Sequence, residues 1–253
     1  MNKTTIEWCD YTWNPITGCL HKCRHTYCYN TTKSTAPLNR FGAKHKLPSR
    51  DIVWEKDWRK RQTGGIHIAE KGEIYPYGYD PTFYPHRLHE PMKVKKPAKI
   101  FTVDTGDMFG EWVPDMWIEQ ILEVAEQCAW HTFLLLTKNP SRLSDFYYPD
   151  NVWVGASINS DIDKGQVQHL KKAKAKVLFL SIEPLLGYVS SSTIEGVDWI
   201  IIGAQTGKNP VVPHIKQIEP IANQAKQMDV PVFMKNNIKD AYDKELIRQF
   251  PIS

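Results

Sequence analysis

At 253 residues, with 42% hydrophobic and 24% charged residues, the chain is long enough for a single α/β barrel and too apolar for extensive disorder. No apolar run reaches the roughly 20 residues that span a bilayer, and Met1 to Glu7 lacks the apolar core of a signal peptide. A cytoplasmic protein is expected and a membrane protein is not. The net charge of +4 is uneven: residues 29–97 hold fourteen Lys or Arg against seven Asp or Glu, which makes +7 and leaves −3 for the rest. A local excess of this kind marks either a solvated surface insertion or a partner that is anionic.

In chain order, Tyr11 to Ile16 reads as a short strand that runs into Gly18 and then into Cys19-Leu-His-Lys-Cys23-Arg-His-Thr-Tyr-Cys28. Three of the five cysteines fall within ten residues, and an odd total does not suit a disulfide framework. Thiolates are soft ligands that select zinc or iron-sulfur clusters, so a loop that crowds three of them is a candidate metal centre. No fourth cysteine stands nearby to close a tetrahedral zinc site, although His21 or His25 can complete one. A four-iron cluster on three thiolates keeps one iron open for a ligand. Cluster, zinc and metal-free loop all remain open from these residues. Cys9 and Cys128 read as buried apolar residues, the latter on a helix face with Ile118, Ile121, Leu122 and Ala125.

From Thr31 to Pro97 the regular alternation of elements stops. Basic residues from Arg40 to Arg61 surround Trp54 and Trp58, and Ile66 to Tyr79 has the pattern of a hairpin turning near Lys71-Gly72. The segment 30–97 is expected to be an inserted basic and aromatic cap within a single domain, 1–253. After Pro97, strands expected at 98–103, 132–137, 151–157, 176–182, 199–204 and 230–234 alternate with helices at 114–130, 161–173, 215–228 and 240–250. With the strand before the cysteines this makes about seven parallel strands, the pattern of a full or partial TIM-type β/α barrel.

The strands end on polar residues: Asp104-Thr-Gly-Asp107, Lys138-Asn139, Ser157-Ile-Asn159, Glu183-Pro184, Gln205-Thr206 and Lys235-Asn-Asn237. In a parallel sheet these ends lie on one side, where ligands bind, and six in succession outweigh a role limited to helix capping.

At this point the sequence resembles a known family. The three-cysteine loop after the first strand, with Tyr27 before the last cysteine, is similar to the radical S-adenosylmethionine superfamily. Thr5-Ile-Glu-Trp8, Trp13-Asn-Pro-x-Thr-Gly-Cys19, Gly106-Asp-x-Phe-Gly-Glu-Trp-Val113, Leu136-Thr-Lys-Asn139, Phe179-Leu-Ser-Ile-Glu-Pro-Leu-Leu186 and Ile201-Ile-Gly203 resemble its phage- and prophage-associated branch, over nearly the whole chain. Two departures stand out. The spacing is Cys-x3-Cys-x4-Cys where the superfamily has Cys-x3-Cys-x2-Cys, and Gln205 stands where relatives carry an acidic residue.

The resemblance implies a [4Fe-4S] cluster on Cys19, Cys23 and Cys28, with S-adenosylmethionine chelating the fourth iron and yielding a deoxyadenosyl radical on reduction by a reductase or flavodoxin-type donor. It implies Asp104, Thr105 and Asp107 near the cofactor's ammonium, Ser157 and Asn159 near its ribose, and Glu183 and Gln205 as catalytic residues serving cofactor or substrate. The host cytoplasm is the implied location if the chain is phage-encoded. The basic, aromatic cap adds a nucleic acid or nucleotide as the expected substrate, phosphates meeting Lys and Arg and bases stacking on aromatics. Two alternatives stand beside this reading: a non-enzymatic, zinc-binding nucleic-acid-binding protein, and a degenerate barrel kept as a scaffold.

Overall fold

A computed structural model describes residues 1–21, 66–207 and 210–252 of the chain. It resolves into two compact units, Met1–Thr5 with Cys9–Phe133, and Ile6–Trp8 with Leu134–Ser253. The expected residues Cys23, Cys28, His25, Tyr27, Trp54 and Trp58, and the basic run from Arg40 to Arg61, lie outside the described residues.

In the first unit, β1 (Asn2–Lys3) pairs antiparallel with β2 (Tyr11–Trp13), which lies parallel to β6 (Lys99–Thr102). Next in order comes β7 (Thr132–Thr137), whose first two residues belong to this unit. The single strand expected over Tyr11 to Ile16 is broken. Pro15 has no N–H to give a ladder, so the chain leaves β2 there and β3 (Ile16–Thr17) joins a separate small sheet. In that sheet β3 is antiparallel to β5 (Thr82–Phe83), and β4 (His67–Ile68) is parallel to β5.

The hairpin expected over Ile66 to Tyr79 is not formed: β4 pairs with a strand beyond it, and 70–80 is a run of turns. Tyr75 at φ 48° and Gly78 at φ 63°, on either side of Pro76 and Tyr77, take the chain out of any extended ladder. Helix α1 (Asp115–Gln127) begins after Pro114, which holds φ −61°, and buries Trp117, Ile118, Ile121, Leu122, Val124 and Ala125 along one face. Trp117 stacks on Phe83 of the small sheet with centroids 4.9 Å apart. Cys128 closes this helix fully buried, as its spacing predicts, whereas Cys9 is half-buried at a 440 Å³ cavity with Lys3 and Lys96.

The second unit carries the rest of β7, then β8 (Val152–Ile158), β9 (Val177–Ile182), β10 (Trp199–Ile202) and β11 (Val232–Met234), side by side in chain order. The pairings from β8 to β11 are all parallel. Helices α2 (Lys164–Leu170), α3 (Ser191–Ile194) and α4 (Ile215–Gln227) fall between successive strands. β10 is buried throughout, the near-continuous apolar pattern of a strand covered on both faces. Its Trp199 is the hub of an aromatic cluster with Trp8, Trp153, Phe179, Phe233 and Phe250.

The last helix expected, 240–250, is replaced by a 3-10 turn, Asn236–Ala241, and then by extended chain. That chain runs along β11, with Met234 N donating to Ile247 O at 2.8 Å and Gln249 N to Val232 O at 2.8 Å. An unpaired edge strand offers these groups at no geometric cost, and this outweighs a modest helical pattern. The α/β class with a large, mostly parallel sheet is as the sequence predicts.

Candidate functional site

The cysteine loop leaves β3 through Gly18, at φ +85°, a conformation that glycine adopts without a Cβ penalty. Gly18 bridges in parallel to Gly106, and its N–H donates to Thr105 O at 3.0 Å. A Cβ on Gly18 would stand 2.5 Å from Asp80 O, and one on Gly106 would stand 2.6 Å from Gly18 O. The loop after β6 therefore lies backbone against backbone on Gly18 because Gly106 has no Cβ, while the bare Gly18 makes room for the backbone of Tyr79 and Asp80. Cys19 follows at 7% exposure, its N–H donating to Tyr79 O at 3.3 Å.

The neighbouring loop after β6 turns at Val103, whose φ of +63° is costly for a β-branched residue, on the order of 1–3 kcal/mol. That turn brings up Asp104 and Thr105, which Asn14 holds. Asn14 Nδ2 donates to Asp104 Oδ1, and Asn14 Oδ1 accepts from Thr105 N at 3.3 Å and Thr105 Oγ1 at 3.0 Å. Burial raises the Asp104 carboxyl above the usual carboxylate range, and the Asn14 hydrogen bond opposes it in part.

Asp107 is 5% exposed: Oδ1 accepts from Phe109 N at 3.0 Å, and Oδ2 accepts from His21 Nε2–H at 2.9 Å. The Trp112 and His21 rings pack in a T-shaped pair with centroids 4.7 Å apart. Within the first unit, Cys19, His21, Asp104, Thr105 and Asp107 thus stand on two adjoining loops. Asn14, Gly18 and Gly106 stand in the motifs quoted from the sequence, but sequence reasoning gave them no role in the site. Their signals are an Asn before Pro at a strand end and two glycines one step from candidate ligands.

The second unit places its own predicted residues at the ends of its strands. Ser157 is half-buried at the end of β8. Asn159 is 6% exposed, with Nδ2 donating to Pro184 O at 2.7 Å and its carbonyl accepting from Leu186 N at 2.9 Å, so it ties the loops after β8 and β9 together. Gln205 bonds across its own loop, its N–H to Val211 O at 3.2 Å and its Oε1 accepting from Val211 N at 3.4 Å. Glu183 forms an ion pair with Lys235, a strand-end residue that sequence reasoning noted without a role. Beside them Asn237 makes two bonds to Ala204, accepting from its N–H at 3.0 Å and donating to its carbonyl at 2.9 Å.

Among the described residues no three His, Cys, Asp or Glu side chains gather as a metal site. The donor chemistry nonetheless fits a thiolate-held metal. Cys19 is nearly buried on a backbone-pinned turn, and the carboxylate-held His21 two residues on is the arrangement found around metal-binding histidines.

Residues 3–245 match the sequence family described as "Protein of unknown function (DUF5131)". No curated protein matches the chain in sequence. Among solved structures, "Spore photoproduct lyase complexed with dinucleoside spore photoproduct" is similar at a TM-score of 0.55 and 12% identity, over 92% of this chain and 78% of that one. Tyr-to-Phe and Cys-to-Ala mutants of the same lyase give the same values. At this identity the likeness is one of fold alone, a mixed α/β chain built on a large, mostly parallel sheet.

Proposed function

We propose that this chain, a member of the family described as protein of unknown function (DUF5131), is a radical S-adenosylmethionine enzyme that acts on a nucleic acid or nucleotide. The observation that carries the reading is Cys19, the first of three clustered thiols, seated on a glycine-pinned turn of a fold similar to that of the lyase. Cys19, Cys23 and Cys28 would hold a [4Fe-4S] cluster. When bound, that cluster with S-adenosylmethionine supplies a deoxyadenosyl radical that takes a hydrogen atom from the substrate.

The protein's part is to bind, orient and exclude water. Asp104 and Thr105, fixed by Asn14, are assigned to the cofactor's ammonium, and Asp107 shares in this while it holds His21 beside the cysteine turn. Ser157 and Asn159 are assigned to the ribose, and Glu183 and Gln205 to cofactor or substrate. The dinucleoside named for the similar lyase structure supports a nucleic-acid substrate, as does the +7 excess in the proposed cap, residues 30–97. On this reading a reductase or flavodoxin-type protein supplies the electron.

A second reading is favoured by one contact. The Asp107–His21 pair next to Cys19 suits a zinc site as well, in a nucleic-acid-binding protein without redox chemistry. Iron, acid-labile sulfide and zinc are measured on protein purified without oxygen, wild type and Cys28→Ala, with S-adenosylmethionine cleavage assayed after reduction. About four irons with matching sulfide, lost in the variant and accompanied by deoxyadenosine, support the enzyme. One zinc without sulfide overturns it in favour of the second reading.

A further inference from the structure

We propose that Lys235 and Glu183 together read the hydrogen-bonding edge of a nucleobase; this rests on the nucleic-acid reading above and names the part of the substrate that these residues touch. Ile182, Ile202 and Met234 are level across β9, β10 and β11. The next residue on each strand, Glu183, Gly203 and Lys235, therefore forms one row at the strand ends. Lys235 N donates to Ile202 O at 2.9 Å and Gly203 N to Ile182 O at 3.2 Å, so the backbone beneath the row is fixed. Lys235 Nζ donates to Glu183 Oε1, with side-chain exposures of 15% and 20%. A Cβ at position 203 would stand 3.0 Å from both the Glu183 and the Lys235 side-chain Cδ, so the central strand contributes bare backbone under the pair.

The chemistry of this row selects its ligand. Lys235 is neutralised by the carboxylate beside it, and that carboxylate repels phosphate, so the pair is a poor anchor for a backbone. Two further N–H groups on Lys235 and the second oxygen on Glu183 offer donors beside an acceptor. Thymine, uracil and guanine each carry a carbonyl next to a ring N–H, which matches that order, and a flat base fits over a glycine. Partial burial makes a mismatched edge costly, because it leaves a polar group unpaired. Phosphate contacts position a nucleic acid while base contacts specify it, and the row has the character of the second.

The test is anisotropy of a labelled oligothymidylate, an abasic oligomer of the same length and an N3-methylthymidine oligomer, over a salt series. The proteins are wild type and the Glu183→Gln/Lys235→Met double variant, which leaves no unpaired charge. Wild type is expected to prefer thymidylate over the abasic and the N3-methyl oligomer by roughly tenfold or more, the preference collapsing in the double variant with the salt slope unchanged.

A slope reduced by about one with the preference kept would make Lys235 a phosphate contact and overturn the proposal. Equal affinity of wild type for thymidylate and its N3-methyl form overturns it also, and needs no variant to fold. A wild type that discriminates while the double variant discriminates equally leaves the pair purely structural. If wild type binds none of the oligomers even at low salt, the substrate reading itself falls.

Discussion

Replacing Gly106 by Ala tests whether the cysteine turn depends on two backbones meeting without side chains. The new Cβ would lie 2.6 Å from Gly18 O and 3.1 Å from Gly18 N, and these are backbone atoms that cannot rotate away. Overpacking of this kind costs about 1–3 kcal/mol. Pushing the loops apart also weakens the Gly18 N–H bond to Thr105 O, worth about 0.5–1.5 kcal/mol. The sum, roughly 1.5–4.5 kcal/mol, lowers Tm by about 3–18 °C for a chain of this length. Thermal unfolding by circular dichroism reads the shift, with Gly165→Ala as control. Gly165 lies in α2 with nothing within 4 Å of a Cβ, so Ala there is expected to raise stability by up to about 1 kcal/mol. A Gly106→Ala protein that melts with wild type would refute the backbone-contact account of the turn, and with it the reason for placing Cys19 there.

Burial raises the Asp104 carboxyl, so the folded state holds its proton more tightly than the unfolded chain. Stability from this group is therefore full below the ordinary Asp range and declines as pH rises from there through the raised folded value. Urea unfolding across that window is expected to show the decline in wild type and lose that component in Asp104→Asn; equal pH slopes would contradict it. In the second unit, Trp199→Leu removes the centre of the aromatic cluster and the Nε1–H bond to Gln249 O at 2.9 Å. A loss of about 2–4 kcal/mol in urea unfolding is expected, and less than 1 kcal/mol would mean that the cluster repacks.

The strands from β6 to β11 were legible because each is a short apolar run between turn residues, and α1 and α4 because their apolar residues repeat at helical spacing. What sequence hid were features fixed by distant partners. Pro15 splits an apolar strand because Phe83, far along the chain, offers Ile16 a different partner. The tail after Ala241 takes extended form because β11 has an open edge, which no local pattern announces. Candidate site residues were legible by type and position at strand ends. Their tethers were not: Asn14 earns its place only once Asp104 and Thr105 have been folded against it, and Glu183 finds Lys235 across two strands.

The extended stretch along β11 bears on how the molecule keeps to itself. Ile247 and Gln249 occupy the last strand's free hydrogen-bonding side, while Arg248 lies over the Phe233 ring at 4.6 Å and pairs with Glu7 at 2.7 Å. A parallel sheet with that side bare would offer a template to any extended segment, including the same segment of another molecule. A few residues that add little to the core thus act as a selvage, finishing the sheet so that it stops growing where the fold needs it to stop.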